Sequence, residues 1–203
     1  MNLNELYKPK INDKVISTVK NEFSVAGDLD VGLAKLGWKP IGQGSFNVIY
    51  ANKNKSYVLK INTTRDRAFE TYSKIIHKIP NIHFPKISDE KQLKIGNRYY
   101  NIYLIEKLIK IPRQRAGKYE EIFDWVFHLI NLDYKLDNTD LSIGFAKLLG
   151  STGIPLLLRK NPELIKALKI VAYGVKSHSL DLHSENFMQR QDGTVVITDP
   201  YAY

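Results

Sequence analysis

Asp181-Leu182-His183-Ser184-Glu185-Asn186-Phe187-Met188, followed by Val195-Val196-Ile197-Thr198-Asp199, is the stretch on which the fold turns. It sets an aspartate, an asparagine five residues on, and a second aspartate thirteen residues beyond that at the end of an apolar run. Between them, strands over 187–190 and 194–198 flank Asp192-Gly193, a pair that favours a tight hairpin turn. Such a pattern supplies a carboxylate base in Asp181 and two hard oxygen donors, Asn186 and Asp199, which suit Mg²⁺ and leave room for phosphate and water. Each residue alone could merely shape a loop or end a strand. The elements that precede the stretch decide between these readings.

The 203 residues, 43% hydrophobic and 11% aromatic, suffice for a buried core and suit one domain of two lobes better than two independent domains. No run approaches the roughly 18 apolar residues of a membrane-spanning helix. Met1-Asn2-Leu3-Asn4-Glu5 lacks the basic start and apolar core of a signal peptide, so a cytoplasmic location without membrane contact is expected. Zero cysteines exclude disulfides, a thiol nucleophile and a cysteine-based zinc site. His77 and His83 flank Pro80 without a third ligand at zinc spacing, and His128 lies in an apolar helical stretch. Thirty Lys and Arg against 21 Asp and Glu leave a net charge of +9, which favours nucleotide phosphates, nucleic acid or an acidic protein surface as partners.

Ile11, Val15, Ile16, Val19 and Phe23 recur at helical spacing, predicting an N-terminal helical lead-in that breaks at Gly27 and resumes over 28–36. From Trp38 the pattern changes to strands, over 38–41, 46–51 and 56–61, which predict a three-stranded antiparallel meander. Residues 65–79 return to a helix through Phe69, Tyr72, Ile75, Ile76 and Ile79, and Pro80 closes it. Gly96-Asn97 joins two further strands, 91–95 and 98–106, and the strand-rich part ends near Glu106. Helices are expected over 118–131, 138–149 and 161–175 before the closing hairpin.

Gly42-Gln43-Gly44-Ser45-Phe46-Asn47 sits between two strands and not before a helix, which disfavours dinucleotide-fold and Walker readings. Glycines in such a turn bring backbone N–H groups close to phosphate oxygens. Asn47 stands where a third glycine is usual; asparagine tolerates left-handed backbone but adds a side chain. Lys60 ends the strand that follows. Glu70, flanked by Phe69 and Tyr72, lies near the edge of a buried helix face, where a carboxylate needs a cationic partner. An ion pair between Lys60 and Glu70 is therefore expected.

With these elements in one order, the chain resembles the protein kinase-like superfamily. Asp181-Leu182-His183-Ser184-Glu185-Asn186-Phe187-Met188 with Ile197-Thr198-Asp199-Pro200 looks like the early serine/threonine protein kinases of podovirus-type bacteriophages. The resemblance covers residues 38–106 and 176–201. It implies an α+β, two-lobed protein kinase-like fold as a single domain over 1–203: a helical lead-in (1–37), a small antiparallel-sheet N-lobe (38–106) and a truncated helical C-lobe (107–203) carrying the catalytic hairpin. It implies ATP and Mg²⁺ as cofactors, with Gly42, Gly44, Ser45, Asn47, Lys60, Glu70 and Glu106 binding ATP. Asp181 would accept the proton of a substrate hydroxyl, Asn186 and Asp199 would hold Mg²⁺, and His183 would donate a hydrogen bond to the transferring phosphoryl group. Host proteins of transcription and RNA processing, and the kinase itself, would be substrates in the host cytoplasm.

Pro200-Tyr201 replaces the Phe-Gly usual after the metal-binding aspartate, and the proline restrains Asp199 to extended geometry. With Tyr203 four residues after Asp199, neither an activation segment nor the usual peptide platform is expected. The basic run Lys107, Lys110, Arg113, Arg115 and Lys118 is expected to supply a substrate surface instead. Two other functions remain open. One is an aminoglycoside-type small-molecule phosphotransferase, suggested by His183. The other is a non-catalytic ATP-binding module that occupies a host protein or nucleic acid through its basic surface.

Overall fold

The computed structural model describes residues 10–22, 29–63, 65–95, 97–112, 158, 160–174, 179–182 and 184–202. The helices expected over 118–131 and 138–149 lie outside the described residues, as do His183, Arg113, Arg115 and Lys118. The described residues form a mixed α+β fold that divides into two compact units: Met1–Arg67 with Lys86–Lys107, and Ala68–Pro85 with Leu108–Tyr203. Among them, no helix is long and apolar enough to cross a membrane.

In the first unit, Asn12 caps helix α1 (Asp13–Glu22), its Oδ1 accepting the Lys14 N–H at 2.7 Å. Val15 and Val19, one turn apart, bury the same face. Helix α2 (Leu29–Lys35) ends at Gly37, whose φ of +80° reverses the chain into the sheet. A Cβ at Gly37 would stand 3.1 Å from Asn52 Nδ2, which itself donates to Leu36 O. Both the backbone angle and the close approach therefore require glycine.

The sheet of this unit contains β1 (Trp38–Gln43), β2 (Asn47–Asn52), β3 (Tyr57–Thr63), β4 (Lys91–Ile95) and β5 (Arg98–Glu106). Its order is β1-β2-β3-β5-β4 and every pairing is antiparallel. The expected meander and the later hairpin are both present, and β5 joins them by pairing with β3 from Tyr57↔Glu106 to Thr63↔Tyr100.

Side chains alternate across a strand, so this register assigns two faces. Tyr50, Leu59, Ile61, Ile102 and Leu104 share one core with Val15, Val19, Leu33 and Trp38. Each such side chain contributes about 1.5–3 kcal/mol by leaving water. The opposite face carries Lys60, Asn62, Asn101 and Tyr103, none more than 2% exposed. One side of the sheet is thus an apolar core and the other a buried polar surface.

The second unit begins with helix α3 (Arg67–Lys78), which joins it from Ala68 onward. Helix α4 (Pro162–Gly174) has proline in its first turn and Asn161 at its cap, where Oδ1 accepts the Leu164 N–H at 3.2 Å. Its buried stripe is Leu164, Ala167, Leu168 and Val171. Strands β6 (Ile109–Lys110), β8 (Phe187–Gln189) and β9 (Val195–Ile197) form an antiparallel sheet in the order β6-β8-β9. Strand β7 (Ser179–Leu180) pairs with β10 (Tyr201–Ala202).

The segment after α3 locks onto this hairpin. His83 is 2% exposed, and its two ring nitrogens meet Val195 O at 2.7 Å and Asn161 Oδ1 at 3.1 Å. The Arg190 guanidinium donates to Ile82 O and to Phe84 O. The helix expected within the 38–106 lobe thus makes its aromatic and backbone contacts with C-terminal residues.

Candidate functional site

In the second unit, three expected residues, Asp181, Asn186 and Asp199, are brought together by the hairpin. Asp181 follows β7, and its N–H donates to Pro200 O at 2.8 Å. Asn186 closes a 3-10 turn (Ser184–Asn186), from which Nδ2 donates to Asp181 O at 2.6 Å and approaches Asp181 Oδ2 at 3.5 Å. Asn186 O accepts from Thr198 twice, from N–H at 2.9 Å and from Oγ1 at 3.1 Å. Asp199 therefore sits between a residue tied to Asn186 and a residue tied to Asp181. Hydrogen bonds close a ring through 181, 186, 198 and 200, and each of the three side chains is partly exposed.

A hard cation is what this donor set fits. Asn186 directs Nδ2 toward Asp181, and its amide oxygen is the end that can ligate a metal. One carboxylate, from Asp199, and the Asn186 amide oxygen would leave coordination positions for phosphate and water, as Mg²⁺ requires.

Of the expected ATP-binding residues in the first unit, Lys60 lies on the polar face of the sheet, Gly42, Gly44, Ser45 and Asn47 at its first turn, and Glu106 at the end of β5 opposite Tyr57. Gly44 N–H donates to Asn47 O at 2.9 Å, and Thr63 N–H donates to Phe46 O, tying the turn to the end of β3. A Cβ on Gly44 would lie 3.1 Å from Asn47 Nδ2, whereas one on Gly42 would meet nothing within 4 Å. The Asn47 side chain thus occupies the space beside Gly44, and Ser45 is exposed at the tip. Glu106, at the end of β5, accepts the Lys86 N–H at 2.8 Å through Oε1.

Lys60 is 2% exposed, and its Nζ lies 3.9 Å from Asp66 Oδ2. The same oxygen accepts from Asn62 Nδ2 at 2.7 Å. Glu70 is paired with Lys74 one turn further along α3. Lys60 and Glu70, the two members of the expected ion pair, belong to different units. Asp66 was not singled out from the sequence; it lies in the turn before α3, where no helical or strand period marks a buried carboxylate.

Asn62 Oδ1 and Thr63 Oγ1 are buried without a hydrogen-bond partner among the described residues. Each such atom costs about 1–3 kcal/mol, and native folds retain such costs mainly where a site needs them. The polar face around Lys60 thus holds a buried cation and two buried oxygens without a partner among the described residues.

Tyr72 is also new. Its hydroxyl donates to Ile197 O in the Asp199 strand, and burial, then the Asp199 charge, then Tyr201, push the phenol well above its usual range. Compared with known proteins, the chain matches no family model and no curated sequence.

Proposed function

We propose that the chain is a phosphotransferase of two-lobed kinase-like fold that uses ATP and Mg²⁺ to phosphorylate serine and threonine hydroxyls of host proteins, and of itself. The observation that carries this reading is the hydrogen-bonded ring that ties the backbone of Asp181, Asn186 and the Thr198–Pro200 segment bearing Asp199 to one another. Mg²⁺·ATP supplies the phosphoryl group and neutralises charge on its phosphates. Asn186 and Asp199 hold the cation through oxygen. Asp181 orients the acceptor hydroxyl and takes its proton as the oxygen bonds to the γ-phosphorus and the bond from that phosphorus to the departing ADP breaks. Lys60, with Asp66 beside it, is the cation for the α- and β-phosphates, and Gly42, Gly44, Ser45 and Asn47 form the turn over them.

Incubation with labelled ATP and Mg²⁺ tests the reading, using the chain alone, a bacterial protein extract and an aminoglycoside as acceptors. Label is expected on protein, reduced about 10²–10⁴-fold by Asp181→Ala and abolished by Asp199→Ala. Label on the aminoglycoside alone would assign the small-molecule reading. Label on protein that persists in both variants would sink the site assignment, and ATP binding with no transfer to any acceptor would favour a non-catalytic module.

A further inference from the structure

Tyr72 counts in the sequence as one more buried position of helix 65–79, yet through it α3 reaches strand β9, which leads into Asp199. Its side chain is wholly buried. Its hydroxyl donates to the carbonyl of Ile197, two residues before Asp199. Its ring meets Tyr201, two residues after Asp199, edge-on at 6.0 Å and 87°. Phe84 and Phe69 hold the same ring from other sides, at 6.0 and 6.3 Å. The remaining backbone group of Ile197, its N–H, donates to His83 O at 2.8 Å, from the segment that follows α3. The chain is therefore held two residues before and two residues after the candidate metal-binding carboxylate.

We propose that Tyr72 is a positioning residue for Asp199: hydroxyl and ring together fix the backbone on both sides of the carboxylate, so that a divalent cation meets it already ordered. The inference rests on the reading of Asn186 and Asp199 as Mg²⁺ ligands. Ordering a side chain before binding removes a cost that binding would otherwise carry, and a site held by packed neighbours keeps its geometry.

Tyr72→Phe keeps the ring and its edge-on contacts and removes the hydroxyl alone. Tyr50→Phe is the matched control. It also deletes a phenolic hydroxyl with a 2.7 Å bond, to Asp30 Oδ1, but in the other unit. The probe is Mn²⁺ titrated in the presence of ATP and followed by its electron paramagnetic resonance signal. Tyr72→Phe is expected to bind Mn²⁺ about five- to tenfold more weakly, the worth of one hydrogen bond. Tyr50→Phe should stay within about twofold of the native chain. Amide hydrogen exchange at Asp199 and Tyr201 should quicken in Tyr72→Phe alone. Native-like Mn²⁺ affinity in Tyr72→Phe, or equal weakening in both variants, overturns the inference. Asp199→Asn separates the two levels. If it binds Mn²⁺ as the native chain does, or if the native chain binds none, the metal-site reading falls and takes this inference with it. Lost binding in Asp199→Asn beside native-like binding in Tyr72→Phe removes this inference alone.

Discussion

Lys60 and Asp66 show how a buried charge is handled in this chain. A lysine 2% exposed needs a counter-charge, and Asp66 Oδ2 provides it while also holding Asn62. Removing the Asp66 carboxylate takes away this counter-charge and the acceptor of the Asn62 amide. Asp66→Asn is expected to destabilise the fold by about 3 kcal/mol, the low end for a broken buried pair, because the 3.9 Å separation is long. Glu70→Gln should change stability by less than about 0.5 kcal/mol, since Lys74 is 64% exposed and an exposed pair one turn apart contributes little. Urea midpoints of the two variants check the contrast; equal losses would contradict it. Lys60 itself was legible because it follows an apolar run in the strand after a glycine turn, although the strand continues to Thr63. Asp66 was not, because a carboxylate in a turn looks solvated until the backbone folds it inward. Asn186 and Asp199 could be singled out by spacing, but the Thr198 and Pro200 backbone bonds that join them have no sequence signal.

At the scale of elements, long strands with clear alternation were readable and two-residue ones were not. Lys91–Ile95 and Arg98–Glu106 have the expected limits because they alternate over several residues around a turn pair. Strands β6, β7 and β10 have two residues each, too few to show any period, and are defined by the partners they meet. The sequence marks His83 as a histidine without a zinc site, but its burial against Val195 and Asn161 is a tertiary fact. It links the loop after α3 to both β9 and the cap of α4. His83→Ala is expected to cost about 2–3 kcal/mol, because two bonds are lost and their oxygens remain enclosed. Circular dichroism melts should show the loss, and an unchanged midpoint would mean that the ring carries no weight.

For the whole molecule, buried phenols set the alkaline limit. Tyr50 and Tyr72 have pKa values raised above the ordinary 10.0 by burial first, then by Asp30 or Asp199 respectively; burial alone raises Tyr201. A raised folded-state pKa means the native chain keeps protons that the unfolded chain releases, so the stabilisation is complete below pH 10 and declines as pH rises past it. Stability should therefore fall steadily above about pH 10. Absorbance of these tyrosinates should appear together with unfolding; their ionisation in a still-folded chain would refute the assignment. Composition gave the positive charge and the α+β pattern. It could not give the division into units, because that depends on which faces of α3 and the hairpin find each other.

The chain passes between the two units three times, after Arg67, after Pro85 and after Lys107, and the Tyr72 hydroxyl finds its acceptor 125 residues downstream. Such separation orders events during synthesis. At about 5–20 residues per second, roughly 6–25 s pass between the emergence of Tyr72 and that of Ile197. Through that interval Phe69, Tyr72 and Phe84 have no Tyr201 or β9 to pack against. A nascent chain arrested before Ile197 should therefore bind chaperones at α3, and release them once the final strand has left the ribosome.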